Sequence, residues 1–169
     1  MKSKNITWVG KLLMKIQPIR ICIIDDVDSY FNKTMLNLAG ADGNLIFERW
    51  NKIGELELKN LVQSPRDIVI LDIKGIVDRE IGKDGFDIAK YLHENTPSYI
   101  VTTSAHKFKL KNRSYYGDYV LAERLLTPLD FIDELNFIIG DYLETRLKPY
   151  RKLLFKVGLK LAQKKLTGN

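Results

Sequence analysis

Carboxylates, hydroxyls and a cation stand where the apolar runs of this chain end. Asp25 and Asp26 follow Ile21-Cys22-Ile23-Ile24, and Asp72 follows Ile68-Val69-Ile70-Leu71. Thr103-Ser104-Ala105 closes the run that opens Tyr99-Ile100-Val101, and Arg124 comes shortly after Val120-Leu121-Ala122. If these ends meet, three carboxylates repel one another, and a hard divalent cation is the usual resolution. Mg²⁺ takes one or two carboxylates, keeps several waters and accepts phosphate oxygens. A carboxylate beside such an ion is a nucleophile toward a phosphoryl group and can form an acyl phosphate. A hydroxyl and a cation from neighbouring elements would then grip the phosphoryl oxygens.

The elements around these residues supply a reason for them to meet. The first two runs are continuous and β-branched rather than alternating, as strands of a parallel sheet covered on both faces are. Leu45-Ile46-Phe47 reads as a weaker strand. Helical patterns fall between the strands. Phe31, Met35 and Leu38 make a stripe that stops at Gly40, Ile53, Leu56 and Leu61 make a second, and Phe86, Ala89 and Leu92 a third. Residues 107–117 are polar and irregular, so a helix there is short or poorly formed. Thr127-Pro128-Leu129-Asp130 carries a cap, a first-turn proline and a capping-box acid, and Ile132, Leu135, Ile139 and Tyr142 continue it as a buried stripe. Alternating β and α units of this kind predict an α/β fold, a doubly wound, five-stranded parallel sheet. In such sheets ligands bind beyond the carboxyl ends of the strands, near a topological switch point.

Composition narrows the class. The 169 residues are 45% hydrophobic and 28% charged, an ordinary globular balance that excludes collagenous and disordered chains. One cysteine, Cys22, cannot form an internal disulfide and reads as a small core residue in a reducing compartment. No apolar run approaches the roughly 18 residues that span a bilayer. Lys11 and Lys15 interrupt the stretch from Ile6 to Ile16, which makes it a poor signal peptide. A cytoplasmic protein is expected. The net charge of +6 hides an asymmetry: residues 21–145 hold 14 basic and all 21 acidic residues, whereas 1–20 and 146–169 hold 13 basic residues and no acid. An acidic domain with basic ends implies that the ends meet something anionic, whether a membrane surface, a nucleic acid or the domain itself.

From about Arg20 to Glu144 the sequence resembles the receiver domain of two-component response regulators. The resemblance rests on Asp25-Asp26 after Ile-Cys-Ile-Ile, Asp72 after Ile-Val-Ile-Leu, and Ser104-Ala105 closing the fourth strand. Asp84-Gly85 opening a helix and Leu126-Thr127-Pro128 leading into the last one complete it. It implies that Asp72 is the phosphoacceptor, taking phosphate from a histidine kinase or phosphotransfer protein. Asp25, Asp26, Asp72 and the backbone carbonyl of Lys74 would hold Mg²⁺. Ser104 would be the switch hydroxyl, Arg124 would bind the phosphoryl group, and Lys74 and His106 occupy the positions that tune acyl-phosphate lifetime. The chain also departs from the family. Arg124-Leu125 replaces a Lys-Pro pair, the loop from Lys74 to Asp84 is several residues longer than usual and lacks the family's Met-Pro, and Leu121 stands where an aromatic is common, with Tyr119 out of phase. A planar guanidinium is not equivalent to a compact ammonium.

Each of these residues has a plainer reading when taken alone. A single strand-end Asp caps a loop, Arg124 pairs with a surface acid, and His106 has no partner His or Cys at metal-ligand spacing. The set Asp25, Asp26, Asp72 and Ser104 in this strand order is the specific signal. Two rivals follow. A pseudo-receiver would keep the fold and bind partners without phosphorylation. Asp26-Val27-Asp28 also resembles the opening of haloacid-dehalogenase-type phosphatases, with Asp26 as nucleophile and Asp28 as general acid. That reading needs a late acidic pair, for which the chain offers Gly117-Asp118 and Gly140-Asp141.

Three segments are expected: a basic amphipathic extension at 1–18, the receiver-like domain at 19–147 and a basic amphipathic helix at 148–169. Pro149 ends or kinks the last domain helix. Beyond it Tyr150, Leu153, Leu154, Val157 and Leu161 make an apolar stripe, with Lys152, Lys156, Lys160 and Lys164 on another face. Trp8, Leu12, Leu13 and Ile16 make a matching stripe at the other end. These helices suit packing on each other, an anionic membrane surface, a partner groove or a homodimer. Nothing resembles a complete helix-turn-helix, so action through protein partners rather than sequence-specific DNA binding is expected.

Overall fold

The computed structural model describes residue 14 and residues 17–103, 115–121 and 127–145. Five strands, β1 (Ile19–Ile24), β2 (Leu45–Trp50), β3 (Ile68–Asp72), β4 (Tyr99–Thr103) and β5 (Tyr119–Leu121), form one parallel sheet in the order β2-β1-β3-β4-β5. Among the described residues, helices α1 (Lys33–Ala39), α2 (Glu55–Gln63) and α3 (Gly85–Asn95) lie between successive strands, and α4 (Pro128–Thr145) follows β5. This is the doubly wound α/β sheet expected from the sequence, with its switch point between β1 and β3. Residues 1–13, 15–16, 104–114, 122–126 and 146–169 lie outside the described residues, and with them most of the extension expected at 1–18 and all of the helix expected at 148–169. Met14 is buried in the core against the α1 and α4 face.

Alternation along the strands divides the core in two. Ile19, Ile21 and Ile23 of β1, Ile68 and Ile70 of β3, and Tyr99 and Val101 of β4 pack under Met35 of α1 and Phe131, Leu135 and Ile139 of α4. Their neighbours Cys22, Ile24, Val69, Leu71 and Ile100 pack on the other face under Leu61 of α2 and Ile88, Ala89 and Leu92 of α3. β1, β3 and β4 are buried on both faces, which is why they read as unbroken apolar runs. Burial pushes the Cys22 thiol up to about 12, so it remains a neutral core group.

Several local expectations shift. β2 spans six residues because it pairs with β1 from Leu45 to Trp50, and as an edge strand it tolerates Glu48 and Arg49. The α1 stripe is incomplete. Asn32 caps the helix by accepting from Met35 N at 3.0 Å, which leaves Phe31 buried but outside it, at φ 45°, and Leu38 half exposed. In α2, Glu57 accepts from Gly54 N at 3.0 Å and fixes the start after Ile53, so Leu56 faces solvent. In α4 the buried stripe begins at Phe131 rather than Ile132. Thr127 Oγ1 accepts from Asp130 N at 3.1 Å, and the Asp130 carboxylate meets the Thr127 hydroxyl instead of the backbone.

Carboxylates tie the amino-terminal edge of the sheet to α4. Asp67 accepts from Arg20 N at 3.0 Å and from the Tyr142 hydroxyl at 2.6 Å. The Tyr99 hydroxyl donates to Asp141, and that of Tyr119 to Glu134. Burial, reinforced by these carboxylates, pushes both phenols above their ordinary range. On the other flank Arg66, largely buried, grips Glu48 through Nε and Nη2 and lies over Trp50 at 5.9 Å. Partial burial alone would raise the Glu48 carboxyl, but hydrogen bonds and charge from Arg66 and Arg20 outweigh it and hold it below its ordinary value. The folded carboxyl thus ionises at lower pH than the unfolded one. Its stabilisation is complete above the unfolded value of about 4.3 and is lost as pH falls through the folded value. Urea midpoints of wild type and Glu48→Gln between about pH 6 and 3 test this. The wild type is expected to lose stability more steeply toward acid.

Candidate functional site at the carboxyl edge

β1 and β3 pair in parallel with Ile24 opposite Leu71, so the residues that follow, Asp25 and Asp72, emerge side by side at the switch point. Both are buried, with Asp25 at 0% and Asp72 at 3% exposure, whereas Asp26 is exposed. One carboxylate oxygen of each of the three lies within 4.8 Å of the others. Oxygens on opposite sides of an octahedral Mg²⁺ are about 4.2 Å apart, from bonds of about 2.1 Å. The cluster therefore has the span and the donor chemistry of a hard divalent cation site.

Backbone amides hold two of the acids in place. Asp25 Oδ1 accepts from Val27 N at 2.9 Å, and Asp72 Oδ1 accepts from Ile73 N at 2.7 Å. Arg49, from the end of β2, donates to the Asp25 carbonyl at 3.2 Å and to Asp28 Oδ1 at 2.8 Å. It fixes the turn after β1, a role the sequence did not disclose because only strand pairing brings β2 beside it.

The long connection after β3 is ordered by contacts that begin at the site. Gly75 has φ +81°, and a Cβ there would stand 2.1 Å from Asp26 Oδ2, so the chain passes against that carboxylate. Ile76 is fully buried, and its carbonyl accepts from Ile53 N at 2.7 Å, while Asp78 N donates to the Ile53 carbonyl at 3.1 Å. Ile53 and Val77 thereby form a parallel bridge that pins this connection to the one between β2 and α2. At its far end Asp84 caps α3 by accepting from Phe86 N at 3.0 Å, and Gly85 N donates to the Ile73 carbonyl at 2.8 Å. A Cβ on Gly85 would fall 2.1 Å from the Asp72 carbonyl oxygen. Both glycines shape the site: Gly75 was not singled out from the sequence, and Gly85 was read there only as the start of a helix. Their signal was a glycine on either side of a loop that begins at Asp72.

Asp25, Asp26 and Asp72 are thus brought together as expected, with Lys74 in the segment between Asp72 and Gly75. Ser104, His106 and Arg124 lie outside the described residues, as do Lys152, Lys156, Lys160 and Lys164. Asp28 is exposed and paired with Arg49. Asp118 precedes β5, where Ile100 N donates to it at 2.8 Å, and Asp141 meets Tyr99 at the start of β4. Both acids sit toward the opposite edge of a parallel sheet. The late acidic pair that a haloacid-dehalogenase-type site requires is therefore not supplied by Asp118 or Asp141.

Gly75→Ala adds a left-handed backbone cost of about 1–2 kcal/mol and drives a methyl into Asp26. It is expected to lower the melting temperature by a few degrees and to weaken Mg²⁺ binding about tenfold in calorimetric titration. Unchanged Mg²⁺ affinity would separate Gly75 from the site.

No protein-family model matches the chain, and no curated protein matches it. Solved structures do. The receiver domain of AraT, a response regulator from Geobacillus stearothermophilus, superposes with a TM-score of 0.56 at 16% identity, over 77% of this chain and 98% of that one. The response regulator domain of Thermotoga maritima CheB gives 0.54 at 13% identity, over 76% and 98%. RcsB from Salmonella enterica, solved on promoter DNA with the phosphomimetic BeF₃⁻, gives 0.50 at 14% identity, over 84% and 76%. The sheet order, the acids at its switch point and these superpositions agree: the chain has the fold of a response regulator receiver domain.

Proposed function

We propose that the protein is a phosphoacceptor signalling module in which Asp72 receives a phosphoryl group from a histidine kinase or phosphotransfer protein. The observation that carries this reading is the meeting of three carboxylates within 4.8 Å, with Asp72 buried and its Oδ1 held by the Ile73 amide. An oxygen of Asp72 attacks phosphorus, an O–P bond forms, and the bond to the donor breaks with its electron pair leaving on the donor atom. Asp25, Asp26 and Asp72, with the Lys74 carbonyl, would hold Mg²⁺ at the nucleophile. When bound, that ion offsets the repulsion between the acids and the incoming phosphoryl oxygens. By the family resemblance Ser104 and Arg124 bind the phosphoryl group, and Lys74 and His106 set its lifetime. Burial of Asp72 keeps bulk water from the acyl phosphate.

The output is a change in what the protein binds. Phosphorylation biases the sheet edge and the basic ends, including Lys152, Lys156, Lys160 and Lys164, between two sets of contacts. Those contacts are with a protein partner, a second copy of the chain or an anionic membrane surface, within the cytoplasm. No described helix is long and apolar enough to cross a membrane.

Intact-protein mass spectrometry after incubation with Mg²⁺ and acetyl phosphate tests the reading, with Asp72→Asn alongside. One phosphoryl adduct is expected on the wild type and none on Asp72→Asn. No adduct, together with no binding of beryllofluoride, would instead identify a pseudo-receiver. An adduct that persists in Asp72→Asn and vanishes in Asp26→Asn would move the nucleophile to Asp26.

A further inference from the structure

The sequence carries three consecutive hydroxyl residues, Thr102, Thr103 and Ser104, and the first two of them end β4. The two that are described have different fates. Thr102 donates through Oγ1 to the Tyr116 carbonyl. Thr103 is 1% exposed, and its Oγ1 has no hydrogen-bond partner. An orphaned buried hydroxyl is costly and rare in a native core.

Its placement gives the orphan a purpose. Thr103 is the register partner of Asp72 across the β3–β4 pair. Residues in register on neighbouring parallel strands are about 4.8 Å apart. Tyr99 and Val101 of β4 belong to the same core face as Ile68 and Ile70 of β3 and Ile21 and Ile23 of β1. Counting on by twos, Thr103, Asp72 and Asp25 continue those three rows and project from that same face. The hydroxyl therefore stands in the row of the two buried acids, one strand from the nucleophile. Rotation about one side-chain torsion sweeps it through its staggered positions.

The geometry points to Thr103 as a positioning residue for Asp72. Its hydroxyl donates to the Asp72 carboxyl group when that group carries a phosphoryl group, and it lacks a partner in the unloaded site. The orphan is thus kept for the loaded state, where it supplies a further donor in addition to the Ile73 amide. This role is distinct from that of Ser104, and it rests on the phosphoacceptor reading of Asp72.

Thr103→Val keeps the branched shape and removes only the hydroxyl, and Thr103→Ser restores it. The full chain is titrated with beryllofluoride in the presence of Mg²⁺, and melting temperatures are recorded without beryllofluoride. Thr103→Val is expected to bind beryllofluoride about tenfold more weakly, the scale of one buried hydrogen bond. Its unloaded melting temperature should equal or exceed that of the wild type. Thr103→Ser should bind within about twofold of wild type. Equal affinity of Thr103→Val and wild type would overturn the proposal and leave the phosphoacceptor reading standing. So would a loss of unloaded stability in Thr103→Val, because the hydroxyl would then serve the resting fold. A wild type that takes neither beryllofluoride nor phosphate would remove the phosphoacceptor reading and this inference with it.

Discussion

Repulsion among three carboxylates is the constraint around which this structure is arranged. Two unit negative charges 4.8 Å apart cost roughly 3.5 kcal/mol at an effective dielectric constant of 20. Asp25 and Asp72 meet nonetheless, because β1 and β3 are paired along Ile21–Ile24 and Ile68–Leu71 and buried on both faces. Apolar burial of that central pair holds the acids together against their repulsion. Backbone amides of Val27 and Ile73 then take up two of the carboxylate oxygens. The cost is retained at the one place where a cation or a phosphoryl group would turn it into binding.

The rest of the molecule divides into a rigid base and a shaped rim. At the base, tyrosine hydroxyls from β4, β5 and α4 meet carboxylates, and the Arg66–Glu48 pair closes the flank of the edge strand. At the rim, the connection after β3 carries two glycines whose missing Cβ atoms make room for Asp26 and for the Asp72 carbonyl. Between them Ile76 plugs the core and Val77 bridges to Ile53. The connection is fastened at its start, middle and end. A displacement of Asp72 would therefore be felt at the β2–α2 connection as well as at α3.

Much of this was legible in the sequence because it is written in short-range patterns. Unbroken apolar runs marked the strands, and the acids directly after Ile24 and Leu71 marked the site. Thr127 was readable as a cap from the residues beside it, and Asp84-Gly85 marked a helix start through the family resemblance. The stripes on α1 and α2 were misread at their first turns for a physical reason. Asn32 and Gly54 start those helices, so Phe31 and Ile53 are buried by tertiary contacts rather than by helical phase. Periodicity cannot distinguish an apolar residue inside a short helix from one just before it.

By itself the sequence determined the element order, the fold class and the type of chemistry that the strand ends could support. Tertiary structure decided which neighbours those ends acquired. Arg49 reaches the turn after Asp25 only because β2 lies beside β1, and Gly75 matters only because the chain folds back on Asp26. Thr103 was one of three adjacent hydroxyl residues until strand register set it beside Asp72 and left its hydroxyl without a partner. Local patterns follow from backbone geometry over a few residues. Register and close approach are set by packing between segments tens of residues apart, where shifting a strand by one position would turn every side chain to the other face.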